Sequence, residues 1–297
     1  MAGSLPSELE LLKDLKYISI YRNPGLAGTF PAALRKLTNL EYLAMHFCDI
    51  EKQLPTWIGE MTSLTSLILS NNDITGTLPS SIGHLTNLKQ LFLDDNGLQG
   101  NINVIHPLHK LEALMLEDNQ LSGKISESMV KQWSNMQLLD LSHNNLTHTL
   151  PKNIWDMKNL SVLDFHGNKF EGPIPNITEP NHVLTFLALY ETNLNATVPS
   201  TISNLKKLSH LDLITTLITG DIPEEIGALT DLKYLFLGMN AFNKGKIPIF
   251  LEKMTKLEDL SLKATNRVGG IPHWIMNMTN LILLDLGRFP IIFSLCK

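Results

Sequence analysis

Leucine and isoleucine recur along this chain in one fixed frame. The stretch Leu69–Leu88, LSNNDITGTLPSSIGHLTNL, shows the frame at its clearest, and its aligned form is LxxLxLxxNxLxGxLP. The first apolar position falls at Leu15, Leu40, Leu64, Leu88, Leu111, Met136, Leu160, Leu184, Leu208, Leu232, Leu257 and Leu281, in steps of 23 to 25 residues. Within each unit the LxL core alternates with period two, which predicts a short strand with leucines inward and the intervening side chains outward. A fixed period of this length predicts a solenoid of stacked coils, because a single coil cannot bury its own leucines.

The polar positions fit the same picture. Asn23, Asn72, Asn96, Asn119, Asn144, Asn168 and Asn240 follow the strand where the chain turns inward. An amide there both donates and accepts, so successive coils satisfy one another's buried backbone groups. Cys48, Thr192, Thr216 and Thr265 occupy the same slot as weaker partners. Further on, Gly76, Gly100, Gly123, Gly172, Gly220 and Gly269 stand where a sharp turn needs positive φ. The prolines that follow (Pro31, Pro55, Pro79, Pro151, Pro175, Pro199, Pro223, Pro248 and Pro272) are expected at the first position of a short helical turn.

This frame matches the leucine-rich repeat. Its longer form, as in ITGDIPEEIGALTDL at 218–232, resembles the plant-type leucine-rich repeat family of receptor ectodomains and secreted inhibitors, over nearly the whole chain. The resemblance implies an α/β repeat solenoid, a horseshoe with a concave parallel β-sheet and short helical or 3-10 turns on the convex side. Residues 1–14 read as the tail of a preceding incomplete repeat, 15–280 as eleven repeats, and 281–297 as a truncated twelfth without a recognisable cap, where Phe289 takes the Asn slot. Family receptors carry a cysteine-bearing cap that is not visible here, so the chain reads as part of a longer protein. Two irregularities are expected: around residues 101–135, where units lack the Pro, and at Arg267, which replaces Leu or Ile and suggests a loosened turn.

Composition then narrows the function. A net charge of −5 argues against a nucleic-acid or anionic-membrane binder. The two cysteines, Cys48 and Cys296, make neither a disulfide framework nor a zinc spacing. No secretory signal or membrane-spanning apolar run is present, so cell-surface or extracellular placement follows from the family resemblance alone. No catalytic motif occurs, no cofactor is implied, and an enzyme is not expected. Sequons stand at Asn145, Asn159, Asn176, Asn195 and Asn277, close to the number that composition alone produces.

Function must therefore lie in the outward positions, the third, fifth, seventh and eighth of each unit. All five tyrosines fall there (Tyr17, Tyr21, Tyr42, Tyr190, Tyr234), with Phe47, Phe92, Phe186 and Phe236. Tyr and Phe favour strands in any case, yet they are also the rigid anchors of binding hot spots. The charge on this face is lopsided: Asp94, Asp95, Glu117, Asp118, Asp140, Asp164, Glu191, Asp212, Asp259 and Asp285 oppose only Arg22, Lys263 and Arg288. Family usage accounts for Asp140, Asp164, Asp212 and Asp285; the acids near Leu88 and Leu111 would steer a cationic partner. His143, His166 and His210 share the face, and a metal or pH-sensing cluster there ranks below solvated surface histidines. The leading expectation is a non-catalytic recognition module for a peptide, protein or glycan, the sensing region of a receptor-like protein. A hydrolase inhibitor of the polygalacturonase-inhibitor kind comes second. An ice-binding surface ranks low, because the outward residues form no regular Thr or Asn ladder.

Overall fold

A computed structural model describes residues 5–26 and 28–287. The chain divides into two compact units, Met1–Thr147 and His148–Lys297, built from the same coil. In the first unit the LxL segments form six strands of a parallel main sheet: β1 (Tyr17–Tyr21), β2 (Tyr42–His46), β3 (Ser66–Ile68), β4 (Gln90–Phe92), β5 (Ala113–Met115) and β6 (Leu138–Asp140). Each strand pairs with the next at equivalent frame positions, so that Tyr42, Ser66, Gln90, Ala113 and Leu138 lie in one row. That register is forced, since a one-residue slip would turn the leucines to solvent. A second parallel sheet runs through Gly28–Thr29, Ile50–Lys52, Asp73–Thr77, Gly97–Asn101 and Gln120–Gly123.

The second unit repeats the plan with β7 (Val162–Asp164), β8 (Phe186–Ala188), β9 (His210–Asp212), β10 (Tyr234–Phe236), β11 (Asp259–Ser261) and β12 (Leu283–Asp285). The central leucines Leu43, Leu67, Leu91, Leu114, Leu139, Leu163, Leu187, Leu211, Leu235 and Leu260 are fully buried. Each contributes about 1.5–3 kcal/mol of apolar burial. Arg288, Phe289, Pro290 and Cys296 lie outside the described residues.

Asparagine joins one coil to the next. The Asn72 Oδ1 accepts from the N–H groups of Cys48 and Ile50, while its Nδ2 donates to the carbonyls of Met45, Leu69 and Ser70. Thr192, Thr216 and Thr265 each donate a hydroxyl to the carbonyl three residues earlier. The Cys48 Sγ makes a 3.4 Å contact to the His46 carbonyl from a buried position.

Three local features differ from the pattern. The prolines precede their 3-10 turns instead of opening them: Pro55, Pro79, Pro199, Pro223, Pro248 and Pro272 are extended N-caps, with φ between −64° and −73°. Their carbonyls accept the first turn hydrogen bond, as from Ile58 to Pro55 at 3.0 Å. The coils without proline keep the stacking register and change only the turn. Asn101 caps a 3-10 turn at Ile102–Ile105, and Ser126 caps an α-helix at Glu127–Gln132, each through a side-chain oxygen. Arg267 does not hang loose either. It is 5% exposed, and its guanidinium donates to the carbonyls of Thr265, Lys246 and Asn243.

Candidate functional site

The outward side chains of the main sheets form rows across the strands, because pairing joins equivalent positions. In the first unit an aromatic group gathers on β1 and β2. Tyr17 and Tyr42 are neighbours at 6.3 Å, Tyr21 lies 5.6 Å from His46, and His46 lies 5.9 Å from Phe47, over which Arg22 stands. His46, the seventh position of its unit, is not among the outward residues named from the sequence, although outward alternation marks it as it marks His143, His166 and His210. Phe92 sits apart from this group, between Ile68 and Met115 in its row.

The acids named from the sequence divide by role. At the fifth position the Asp Oδ1 accepts the N–H of the seventh residue: Asp140 from Ser142, Asp164 from His166, Asp212 from Ile214 and Asp285 from Gly287. These carboxylates close the end of the strand, so each has one oxygen committed to the fold. Asp94 is buried and accepts from the Ser70 hydroxyl at 2.5 Å. Burial pushes its carboxyl up, against the Ser70 hydrogen bond. Glu117 is pushed up to about 8, by burial first, then by its hydrogen bond to Asp140 and the charges of Asp140, Asp94 and Asp95. Asp118 and Glu191 are exposed.

The eighth position carries a backbone signature that the repeat pattern did not reveal. Arg22, Phe47, Asn71, Asp95, Asp118, His143, Glu191, Thr215, Met239 and Ala264 all take the left-handed conformation, with φ from 48° to 55°. The cost is about 1–2 kcal/mol per non-glycine residue, met by hydrogen bonds such as Asp95 N–H to the Glu117 carbonyl at 3.0 Å. The backbone would favour Gly or Asn here, so the variety of side chains is not a folding requirement.

In the second unit β7 to β10 present a denser aromatic group. Phe186 stacks on His210 at 4.3 Å, and His210 lies 5.5 Å from Tyr234 and 5.6 Å from Phe236. His166 stacks on Tyr190 at 4.0 Å and is paired with Asp164 through Nδ1 and Oδ1 at 2.6 Å. Burial lowers His210 below the ordinary imidazole value, and Asp164 opposes it. Asp212 is pushed up to about 6 by burial. Two tyrosines are latched at the rim: Tyr17 donates to Glu41 at 3.5 Å and Tyr234 to Glu258 at 2.9 Å. Each Glu is also bound by a lysine, Lys16 or Lys233. Among the described residues, no group of three His, Cys, Asp or Glu could hold a metal ion, and no helix is long and apolar enough to cross a membrane. The five sequon asparagines Asn145, Asn159, Asn176, Asn195 and Asn277 are all exposed.

The coil, its asparagine ladder and its paired sheets are those of a leucine-rich repeat solenoid, and the chain is similar to plant receptor-like proteins. The leucine rich repeat family profile matches residues 62–121 and 109–170. Receptor-like protein EIX1 of Solanum lycopersicum is 42% identical over 57 residues, which is 19% of this chain and 6% of that protein. Receptor-like protein 39 of Arabidopsis thaliana is 32% identical over 175 residues, 56% of this chain and 20% of that protein. Among solved structures, the plant peptide hormone receptor RGFR1 in complex with RGF2 superposes with a TM-score of 0.84 at 28% identity, over 97% of this chain and 50% of that one. The chain thus spans a fifth or less of these curated relatives and half of the solved receptor.

Proposed function

We propose that this chain is the peptide-binding region of a receptor-like protein, and that it works by recognition without catalysis. The observation that carries the proposal is the contrast between the two faces of each strand. Inward positions repeat the same leucines, whereas outward positions change from strand to strand and collect aromatic rings and carboxylates at a few places. Folding needs the first set throughout, and draws on the second mainly at the fifth-position aspartates that close the strand ends. Similarity to a peptide hormone receptor supports a peptide as the ligand class. The excess of acid over base on the outward face favours a cationic one.

A random dodecapeptide display library panned on the full chain tests this reading. Captured peptides are expected to be rich in Lys and Arg, and to lose at least tenfold in affinity when Tyr42, Phe47 and Tyr190 are replaced together by Ala. Capture that is indifferent to those replacements rejects the outward face as the binding surface.

A further inference from the structure

The second unit carries a more specific feature, and its interpretation rests on the outward face being a binding surface. Strand pairing sets Asp164, Ala188, Asp212 and Phe236 side by side in the fifth-position row. The third-position row, Phe186, His210 and Tyr234, stands on one side of it, and the seventh-position row, with His166 and Tyr190, on the other. Those flanking rows are four residues apart along the strands, about 13 Å between backbones. Both contain stacked rings, with Phe186 on His210 at 19° between planes and His166 on Tyr190 at 12°. The result is a trough whose third-position wall is aromatic and whose seventh-position wall is aromatic at His166 and Tyr190 and aliphatic at Ile214, beside Asp212, over a floor of Asp164, Ala188 and Asp212. Phe236, edge-on to His210, closes one end.

The floor charges are unequally matched. Asp164 holds His166 through both the backbone N–H and the ring Nδ1. Asp212 has only the Ile214 N–H, on Oδ1 at 2.9 Å, and no described residue forms a hydrogen bond with its Oδ2. Asp164 and Glu191 add like charge around it, and His166 offsets them in part. The remaining groups along the trough, His210 and Tyr234, bring no permanent positive charge. Lys263 is the cation of this face among the described residues of the unit, and it stands two strands from Asp212.

We infer that the trough is a subsite for one arginine side chain of the partner peptide, its guanidinium bonded to Asp212 Oδ2 and lying against the surrounding rings. Arginine fits better than lysine on physical grounds. A guanidinium is planar, weakly hydrated and able to stack on aromatic faces while pairing with a carboxylate. A compact ammonium loses more hydration between rings. A neutral aliphatic chain would cover the half-buried Asp212 and leave its charge without a counter-ion.

The test uses the full chain with 13C-labelled histidine rings, and N-acetyl-arginine N-methylamide as the probe, against its lysine and norleucine counterparts. The expected result is a saturable shift of the His210 ring signal with the arginine probe. The lysine probe should bind at least fivefold more weakly and the norleucine probe at least tenfold. Asp212→Asn keeps an oxygen to accept from Ile214 and removes the charge, so it should weaken the arginine probe tenfold or more. Phe236→Leu should weaken it severalfold and gives an independent reading if Asp212→Asn does not fold. Equal shifts from the arginine and lysine or norleucine probes overturn the assignment, as does undiminished arginine binding in the folded Asp212→Asn chain. Failure of the peptide panning would leave this probe result standing. Arginine-independent peptides captured on the outward face would instead remove the subsite and keep the binding surface.

Discussion

His210 lies face to face with Phe186, the ring centroids 4.3 Å apart. The contact covers one face of the half-buried imidazole, and burial lowers its pKa, against the pull of Asp164. Replacing Phe186 with Ala admits water to one face of the ring, so the titration midpoint of His210 should rise toward 6.5. The sign for stability follows from the depressed value. An imidazole kept neutral by burial supports the fold above its ordinary pKa, and that support is lost as pH falls below about 6.5. Ring-proton titration by NMR checks the shift, and an unchanged midpoint in Phe186→Ala rejects the stack as its cause.

The asparagine slot sets how strongly neighbouring coils are joined. Asn119 is buried; its Oδ1 accepts from Leu98, and its Nδ2 donates to the carbonyls of Leu93, Leu116 and Glu117. Asn119→Ala leaves the Leu98 N–H without its acceptor and takes one of two donors from the carbonyls of Leu93, Leu116 and Glu117, which keep Asn96, Asn144 and the Asp95 N–H, and it should cost about 2–3 kcal/mol. Thr192→Ala removes a single bond to Leu189 and should cost about 1 kcal/mol. Urea denaturation of the two variants checks the ranking. Equal losses would show that the ladder does not distinguish amide from hydroxyl.

The coil was legible in the sequence because its requirements repeat: leucines at LxL, an amide after the strand, glycine at positive φ. Gly76, Gly100, Gly123, Gly172, Gly220 and Gly269 all take that conformation. His148 and Ala196 take it as well, at φ 71° and 76°, where no glycine marks the turn. The outward tyrosines could be placed by alternation alone. Their partners could not, because a hydroxyl that reaches Glu41 or Glu258 depends on rotamers and on the next coil. The strand-end role of Asp140, Asp164, Asp212 and Asp285 stayed hidden for a similar reason. One carboxylate can cap a neighbouring N–H or face a ligand, and its spacing is the same in both cases.

Arg267 provides a test in which the repeat pattern and the structure disagree. The pattern asks for Leu or Ile, which would make Arg267→Leu a stabilising change. In the structure the guanidinium binds the carbonyls of Thr265, Lys246 and Asn243. Burial lowers its pKa, yet three acceptors depend on it. Arg267→Leu should therefore destabilise the chain by about 1–3 kcal/mol. A rise in melting temperature in this variant would show that those carbonyls find other partners at no cost.

Glu117 sets the most distinctive pH dependence of the first unit. Burial and the adjoining Asp140 push its carboxyl up to about 8. An acid with a raised folded-state value favours the fold while protonated. Its contribution is complete below the ordinary carboxyl range and is lost as pH climbs toward 8. The melting temperature should therefore decline between pH 5 and pH 8 and level off above that. Glu117→Gln fills the same space without the charge, and its amide can donate to Asp140 while Asp140 continues to accept from Ser142. The variant should gain on the order of 1–2 kcal/mol at pH 8.5, after allowance for solvent screening, and almost nothing at pH 5. Melting curves of both proteins across that range are the check. Parallel curves would mean that Glu117 titrates as an ordinary surface carboxylate.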